Sequence, residues 1–249
     1  MKWSISDIPP QYGKLAIVTG ANSGLGWHIA FQLARAGSDV ILAVRSEDKG
    51  RAAVERIREQ LPQVKVRAEI LDLASLASVR TFAAKINKES KVDLLVNNAG
   101  IMAIPRRSAT EDGFERQLGT NFLGHFALTG LLIPALLQGR AARVTTVSSI
   151  AANLRMKRIK FEDLQLEQSY DPWTAYCQSK LADLMFALEL GRRCAAKNFP
   201  ILSNAAHPGY ALQTCRPRDQ AGRADGRSEC SKSLPRTRRS WRRFPFCGL

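Results

Sequence analysis

Apolar residues between positions 15 and 206 follow two alternating patterns. Short, nearly continuous apolar runs rich in β-branched residues are typical of strands buried on both faces of a parallel sheet. We predict such strands at LAIVT (15–19), DVILAV (39–44), KVRAEI (65–70), VDLLV (92–96), RVTTVS (143–148) and ILSNAA (201–206). Amphipathic stretches between them predict helices over about 24–36, 48–60, 75–88, 111–137 and 173–197. This alternation predicts an α/β fold, a Rossmann-type doubly wound parallel sheet of six recognisable strands with ligands at their carboxyl ends.

The pattern changes after Gly209. Residues 213–249 contain no Ile and no Val and are rich in Arg, Ser, Pro and Gly. Their apolar residues follow neither the two-residue period of a strand nor the 3.6-residue period of a helix. Such a segment buries too little apolar surface to offset its ordering entropy. We therefore predict a dinucleotide-binding domain over residues 1–212 and a basic tail over residues 213–249. We expect the tail to be disordered or the product of a shifted reading frame.

Charge is spread unevenly between these two parts. The formal net charge is +15, and residues 213–249 hold ten Lys and Arg against three Asp and Glu. Arginines beside Trp241 and Phe244 leave open the binding of nucleic acid or of another anionic surface. A solvated basic tail is the simpler interpretation, so nucleic acid is not the expected partner.

Composition also bears on the cellular compartment, on membrane spans and on metal binding. Five cysteines without a CxxC pair favour reduced thiols, and the N-terminal residues show no secretory signal, so we expect a cytoplasmic protein. The longest apolar stretch, residues 122–137, is too short to span a bilayer, which favours a buried helix over an integral membrane segment. Three scattered histidines predict no metal site.

A glycine-rich turn, TGANSGLG (19–26), joins the first predicted strand to the first helix. Glycines let the backbone turn tightly and approach a pyrophosphate, and the helix N-terminus offers free N–H groups to it. A glycine turn without a ligand is the alternative, because the spacing differs from the general dinucleotide fingerprint. We expect this turn and the following strand ends to hold the cofactor through Gly20, Asn22, Ser23, Gly24, Leu25, Gly26, Asp72, Leu73, Asn98, Ala99 and Gly100.

Arg45 follows the second strand, where an acidic residue would bind a ribose 2′-hydroxyl. A guanidinium there suits a 2′-phosphate instead, so NADP(H) is favoured over NAD(H). The alternative is that Arg45 only solvates the next helix, with Glu47 and Asp48 nearby.

Six motifs occur in the order seen in short-chain dehydrogenases/reductases: TGANSGLG, NNAG, the Asn of GTNFLGHF, VSSIAA, YCQSK and HPG. The resemblance covers about residues 10–210, and its details are similar to the retinol dehydrogenase and protochlorophyllide reductase-like branch. It implies an NAD(P)(H)-dependent oxidoreductase that interconverts a carbonyl and an alcohol. It also implies that Pro208 and Gly209 pass the nicotinamide. Ser149, rather than Ser148, would bind the substrate oxygen, and Asn121 would hold a water in a proton relay. The alternative for Asn121 is a side chain that is satisfied by a nearby backbone group.

Tyr176 and Lys180 lie four residues apart and share a face of the last predicted helix. A free phenol titrates near pH 10, so proton transfer near neutral pH requires stabilisation of the phenolate. A lysine ammonium and the positive ring of an oxidised nicotinamide supply such stabilisation. We predict Tyr176 as general acid/base and Lys180 as its electrostatic partner, and the resemblance adds that Lys180 binds the ribose. A surface Tyr/Lys stack is the alternative.

The family normally continues beyond the HPG motif with a substrate-covering segment and a seventh strand, which are not recognisable here. We therefore predict impaired turnover, and a dinucleotide-binding protein without catalysis is the second hypothesis. The resemblance implies a homodimer through the helices at about 111–137 and 173–197. The substrate stays open, because its pocket would be formed mainly after residue 210.

Overall fold

The computed structural model describes residues 4–153, 156 and 158–209, and the predicted tail lies outside them. Six strands form one sheet in the order β3-β2-β1-β4-β5-β6, and every pairing is parallel. The strands are β1 (Leu15–Thr19), β2 (Asp39–Val44), β3 (Val66–Ile70), β4 (Leu94–Asn97), β5 (Ala142–Val147) and β6 (Ile201–Ala206). The α/β prediction and all six strands are therefore confirmed. The strand order reverses between β1 and β4, which places the ligand-binding crevice at their carboxyl ends.

Five long helices connect the strands: α1 (Gly24–Arg35), α2 (Glu47–Gln60), α3 (Leu76–Ile86), α5 (Gly124–Leu137) and α6 (Pro172–Ala196). A short α4 (Arg116–Leu118) and a π-helical turn (Gly119–Leu123) lead directly into α5. Local chemistry sets several starts, because the side chains of Ser46, Ser75 and Asp171 accept hydrogen bonds from the first turns of α2, α3 and α6.

The helix predicted from residue 111 begins only at Arg116, so that boundary was wrong. Residues 109–115 instead make a turn closed by an antiparallel bridge between Ala109 and Glu115, with Gly113 at φ +85°. The Glu115 carboxylate then accepts from the N–H groups of Gln117 and Leu118, at 2.9 and 2.7 Å. A turn glycine and an acidic cap thus override the apolar periodicity that suggested an earlier start.

Helices cover the sheet on both faces, as a doubly wound fold requires. Successive residues of β1 point to opposite sides: Ile17 packs in the core with α3 and α5, whereas Val18 packs in the core with α1 and α2. Coverage is less complete at the far edge, where exposure alternates along β6 and Leu202 is 52% exposed. Among the described strands, β6 therefore forms an edge with one well-covered face.

The stretch Arg116–Leu137 is long and apolar enough to cross a membrane by length and composition, although 44% of its apolar window is buried. Leu128, Leu132 and Leu136 of this stretch are fully buried in the core against the sheet. The predicted buried helix at 122–137 is therefore present in the fold.

Candidate active site at the carboxyl edge of the sheet

A cavity of about 350 Å³ opens at the carboxyl ends of β1, β2, β3 and β4. Twelve residues predicted to hold the cofactor line it: Gly20, Asn22, Ser23, Gly24, Leu25, Gly26, Arg45, Asp72, Leu73, Asn98, Ala99 and Gly100. Sequence reasoning assigned no role to ten further lining residues, five of which are polar: Thr19, Ser46, Lys49, Arg116 and Thr120. The structure thus brings residues from four separate strand ends to one concave surface.

The glycine turn is packed too closely for side chains at two positions. A Cβ at Gly20, which has φ +66°, would lie 2.9 Å from the Cα of Ala99. A Cβ at Gly26 would lie 2.5 Å from both Asn98 Nδ2 and the carbonyl oxygen of Gly20. Gly20 and Gly26 are therefore required by close backbone approach and, at Gly20, by a left-handed conformation.

Thr19 ties the ends of β1 and β4 together. Its Oγ1 accepts from the N–H groups of Asn98 and Ala99, both at 2.9 Å. The Asn98 side chain returns a bond from Nδ2 to the carbonyl of Thr19 at 2.8 Å. Three partly buried hydrogen bonds therefore join the ends of β1 and β4 at the cavity.

His125 extends this network toward the π-helical turn. Its Nδ1 lies 2.7 Å from the carbonyl oxygen of Asn121 and its Nε2 lies 2.8 Å from Thr19 Oγ1. A carbonyl only accepts, so Nδ1 carries the proton and Nε2 accepts from the Thr19 hydroxyl. Burial, together with the nearby charge of Lys180, lowers the pKa of His125 to about 4 despite the opposing bond to Asn121. The imidazole is thus a neutral hydrogen-bonding link between the π-helical turn and the end of β1.

Arg45 and Lys49 are exposed at the rim of the cavity, on either side of Ser46. Asp48, which sequence proximity offered as a partner for Arg45, pairs with Arg51 instead at 2.6 Å. Two cationic side chains therefore flank one end of the cavity.

The two candidate serines differ in what their hydroxyls do. Ser148 is buried and its Oγ donates to the carbonyl of Lys180 at 2.7 Å. Ser149 is partly exposed, and its Oγ accepts from the N–H of Ala151 at 3.2 Å. Because β5 ends at Val147, Ser149 lies two residues past the strand rather than at its end. Among the described residues the Ser149 hydroxyl only accepts, whereas the Ser148 hydroxyl donates its proton to Lys180, and this difference favours Ser149.

Tyr176 and Lys180 lie on α6, as predicted, in different environments. Tyr176 is partly exposed, and its ring meets Trp173 edge-on at 5.9 Å between centroids. The Lys180 side chain is only 5% exposed, and its Nζ donates to the carbonyl of Val147 at 2.8 Å and to Asp183 Oδ2 at 2.9 Å. The ammonium is therefore fixed between α6 and the end of β5.

Asn121 lies in the π-helical turn, a feature that often marks functional sites. Its Oδ1 accepts from the N–H of Ile101 at 2.8 Å, and its Nδ2 donates to the carbonyl of Ile101 at 3.0 Å and to Ser179 Oγ at 2.9 Å. A Cβ at Gly100 would lie 3.4 Å from Asn121 Oδ1 and 3.7 Å from Lys180 Nζ. The cavity wall after β4, the π-helical turn and the lysine of α6 thus converge at Gly100.

Four predicted cofactor residues are not among those that line this cavity within the described residues: Tyr176, Lys180, Pro208 and Gly209. Pro208 lines a second cavity of about 360 Å³, together with side chains of α1, β4 and β5. Gly209 is exposed at φ +69°, and it does not line the first cavity within the described residues. The described ranges also contain no cluster of three His, Cys, Asp or Glu side chains suited to a metal ion.

Comparisons with known proteins agree with this architecture. The family model for short chain dehydrogenases matches residues 14–161. Mouse polyprenol dehydrogenase is 48% identical over 207 residues, covering 81% of this chain and 61% of that protein. Mouse retinol dehydrogenase 13 is 48% identical over 201 residues, covering 80% of this chain and 59% of that protein.

Solved structures give the same result. An uncharacterized protein from Mycobacterium Paratuberculosis aligns with TM-score 0.76 and 47% identity, over 86% of this chain and 75% of that one. A short chain dehydrogenase from Escherichia coli CFT073 complexed with NADPH aligns with TM-score 0.64 and 26% identity, over 80% of this chain and 77% of that one.

The chain belongs to the short-chain dehydrogenase/reductase family. Within that family it belongs to the retinol dehydrogenase-like branch, as its resemblance predicted. The matched part spans about three fifths of the length of these curated relatives, 61% and 59%.

Proposed function

We propose that this chain is an oxidoreductase that interconverts a carbonyl and an alcohol with NADP(H). The observation that carries the proposal is the convergence at Gly100, where the dinucleotide-type cavity meets Asn121 and the buried ammonium of Lys180. Tyr176 stands one helical turn before that lysine on the same face of α6.

The cavity fits a dinucleotide. Gly20 and Gly26 leave no room for a Cβ, so bare backbone faces the cavity at the start of α1. Ser23 precedes α1 without a side-chain hydrogen bond to its first turn in the described structure, which leaves N–H groups available for an anion. When bound, a nicotinamide dinucleotide supplies or accepts the hydride.

The chain's own residues would manage the proton and the developing charge. The Tyr176 hydroxyl gives a proton to the substrate oxygen in reduction and takes it back in oxidation. The Ser149 hydroxyl donates a hydrogen bond to the same oxygen. The Lys180 ammonium favours the phenolate over the phenol. Asn121 clamps the loop after β4 to α6 and so supports the relay that the family resemblance implies.

The preference for NADP(H) rests on charge at the cavity rim. Arg45 offers a planar fork suited to a phosphate, and Lys49 adds a second positive charge near it. No acidic side chain lies among the lining residues at the end of β2 within the described structure. A ribose 2′-phosphate therefore suits this rim better than a bare hydroxyl.

The relatives suggest the substrate class. Those at 48% identity carry the names polyprenol dehydrogenase and retinol dehydrogenase, both for apolar isoprenoid alcohols. We extend that class to this chain and expect long apolar aldehydes to be reduced in preference to small polar ones.

We also propose a homodimer through α5 and α6. Phe126 of α5 and Leu188 of α6 are 55% and 63% exposed, and Met185 is 47% exposed. Sedimentation of the wild type and of Phe126→Lys would test this, since an unchanged molecular mass near that of one chain would contradict it.

The experiment titrates the purified full chain with NADPH and NADH and then measures rates with apolar and polar aldehydes. Tyr176→Phe is the catalytic control. NADPH-dependent reduction that Tyr176→Phe abolishes supports the proposal. Tight NADPH binding with no turnover would favour a dinucleotide-binding protein without catalysis. The incomplete coverage of the relatives' length keeps that second candidate in view.

A further inference from the structure

We propose that Asp183 is a positioning residue that holds the Lys180 ammonium and attenuates its effect on the Tyr176 phenol. Sequence reasoning assigned no role to this residue. The inference rests on the proposed function, because it assumes that Tyr176 and Lys180 act together.

The geometry singles out this carboxylate. Asp183 follows Lys180 by three residues on α6, and its Oδ2 lies 2.9 Å from Lys180 Nζ. The side chains are 2% and 5% exposed, so water screens the pair very little. The ammonium has three N–H donors. It donates one hydrogen bond to the carbonyl of Val147 and one to the carboxylate of Asp183. Asp183 therefore limits how Lys180 can be oriented.

Apart from Lys180, the described residues give the Asp183 carboxylate little hydrogen-bonding support. Its other oxygen, Oδ1, is buried and accepts no hydrogen bond from the described residues. Burial raises the pKa of Asp183 to about 6, although Lys180 opposes that rise. A buried acid with one oxygen unsatisfied is a costly element for a fold to keep, and structural support alone does not account for it. Its short bond to a catalytic-type lysine does.

Other charged groups around this pair lie further away or are neutral. The π-helical turn, the turn Ile150–Asn153 and β6 pack against α6 and carry no ionisable side chain. Arg143 of β5 is exposed and lines the second cavity, and Arg116 of α4 lines the first. His125 is neutral at ordinary pH because burial holds its pKa at about 4. Lys180 is the charged group that acts on the Asp183 carboxyl within the described structure.

The consequence for Tyr176 follows from the sum of charges. An ionised Asp183 offsets part of the positive potential that Lys180 exerts on the phenol one turn earlier. Removing the negative charge leaves the ammonium uncompensated. The carbonyl of Val147 still accepts a hydrogen bond from Lys180 Nζ in such a variant, so the lysine side chain keeps one of its two partners. The phenolate then forms at lower pH.

The test is an ultraviolet pH titration of phenolate absorbance in the full chain, with Tyr176→Phe subtracted to isolate the signal of Tyr176. Asp183→Asn is expected to lower the ionisation midpoint by about one pH unit, the low end for a close charge. Asp183→Glu should keep the wild-type midpoint. Glu189→Gln is the matched control, because it removes an exposed acid from the same helix, one that pairs with Arg192 and Arg193.

An unchanged or raised midpoint in folded Asp183→Asn would overturn the inference. If that variant does not fold, Asp183→Ser removes the same charge with less bulk. Failure of both to fold would assign the pair to stability and would equally overturn it. The readout needs no turnover, so a lowered midpoint in a chain without activity would sustain the role of Asp183 while the proposed function fails. With turnover, the acid limb of kcat/KM for alcohol oxidation should move by the same amount.

Discussion

Strands β1 and β2 are more deeply buried than strands β5 and β6. β1 and β2 are buried on both faces along nearly their whole length. Exposure alternates along β5 and β6, so these strands bury one face well and the other poorly. The dinucleotide-type cavity lies at the well-covered part. The helix α6, which carries the proposed acid–base pair, packs against the less covered part. The described residues therefore cover the proposed cofactor end more fully than the proposed substrate end.

The two edge strands extend the comparison. β3 at one edge carries Arg67 and Glu69, which pair with each other, with Glu89 and with Lys85. β6 at the other edge has the sequence ILSNAA and carries no charge. Charged edges resist pairing with other chains and uncharged edges invite it. Among the described strands, the β6 edge should therefore associate with other chains more readily than the β3 edge.

The largest effect is expected at the acid–base helix. Tyr176→Phe should lower kcat by at least about 100-fold, because the substrate oxygen loses its proton donor. NADPH affinity should change little, because the phenol contributes only part of the cofactor contact. Steady-state kinetics with fluorescence titration of NADPH measures both. Tyr12→Phe, which alters a residue that is 81% exposed, is the control, and equal losses in the two variants would contradict the assignment.

The cofactor end should respond to a single methyl group. Gly26→Ala should weaken NADPH binding at least about tenfold and destabilise the fold by about 1–3 kcal/mol, because its Cβ meets Asn98 and Gly20. Calorimetric titration and thermal unfolding would show it. Gly130→Ala is the matched control, because a Cβ there meets nothing within 4 Å and alanine favours helix. Wild-type binding in Gly26→Ala would contradict a backbone cradle.

Cofactor choice should follow the charge at the rim of the cavity. Arg45→Ala should weaken NADPH binding about tenfold, the loss of one charge-assisted contact, and leave NADH binding unchanged. Arg51→Ala serves as control, because Arg51 is an exposed arginine of α2, the helix that follows Arg45, and it pairs with Asp48. Parallel losses for both dinucleotides would show that Arg45 does not read the 2′-phosphate.

The buried pair at the catalytic end predicts a pH dependence of stability. Burial raises the pKa of Asp183 from 3.8 to about 6, so the native state holds this proton more strongly than the unfolded chain. Its contribution is present below about pH 4 and is lost as pH rises through 6. Asp183→Asn should therefore gain stability relative to the wild type between these limits. Chemical denaturation across that range measures the difference, and a constant difference would argue against the buried acid.

The smallest effect on stability is expected at the β6 edge. Leu202→Lys should reduce self-association while changing the free energy of unfolding by less than about 0.5 kcal/mol, because the side chain is 52% exposed. Ile70→Lys on β3 is the matched control at 48% exposure and should change association little. Light scattering at rising concentration compares them. An equal change in self-association for the two variants would contradict the proposed difference between the β6 and β3 edges.

Much of the fold was predictable because local pattern and global topology agree. β1, β2 and β6 begin and end at the predicted residues, since each is a short run bounded by turn residues. The start of the long apolar helix was not predictable, because the cap at Glu115 depends on a bridge to Ala109. Periodicity alone does not reveal such a contact.

The candidate site divides in a similar way. Motif spacing found the glycine turn and the Tyr176–Lys180 pair, because those features are contiguous in the chain. It missed Thr19 as a tie between two strand ends, and it missed the Asp183 counter-ion. Thr19 bonds residues 79 and 80 positions away. Asp183 is three residues from Lys180, where an acid at helix spacing reads as an ordinary surface pair. The burial of Asp183 distinguishes it from a surface pair, and the sequence does not reveal that burial.

The most direct test follows hydride from the cofactor end to the catalytic end. The full chain is mixed with an apolar aldehyde and NADPH that carries two deuterium atoms at C4 of the nicotinamide ring, and the alcohol is examined by mass spectrometry. The account predicts deuterium in the alcohol from the wild type, and its loss with Tyr176→Phe while NADPH still binds. Bound NADPH with no deuterium in the product, or equal transfer by both proteins, would contradict it.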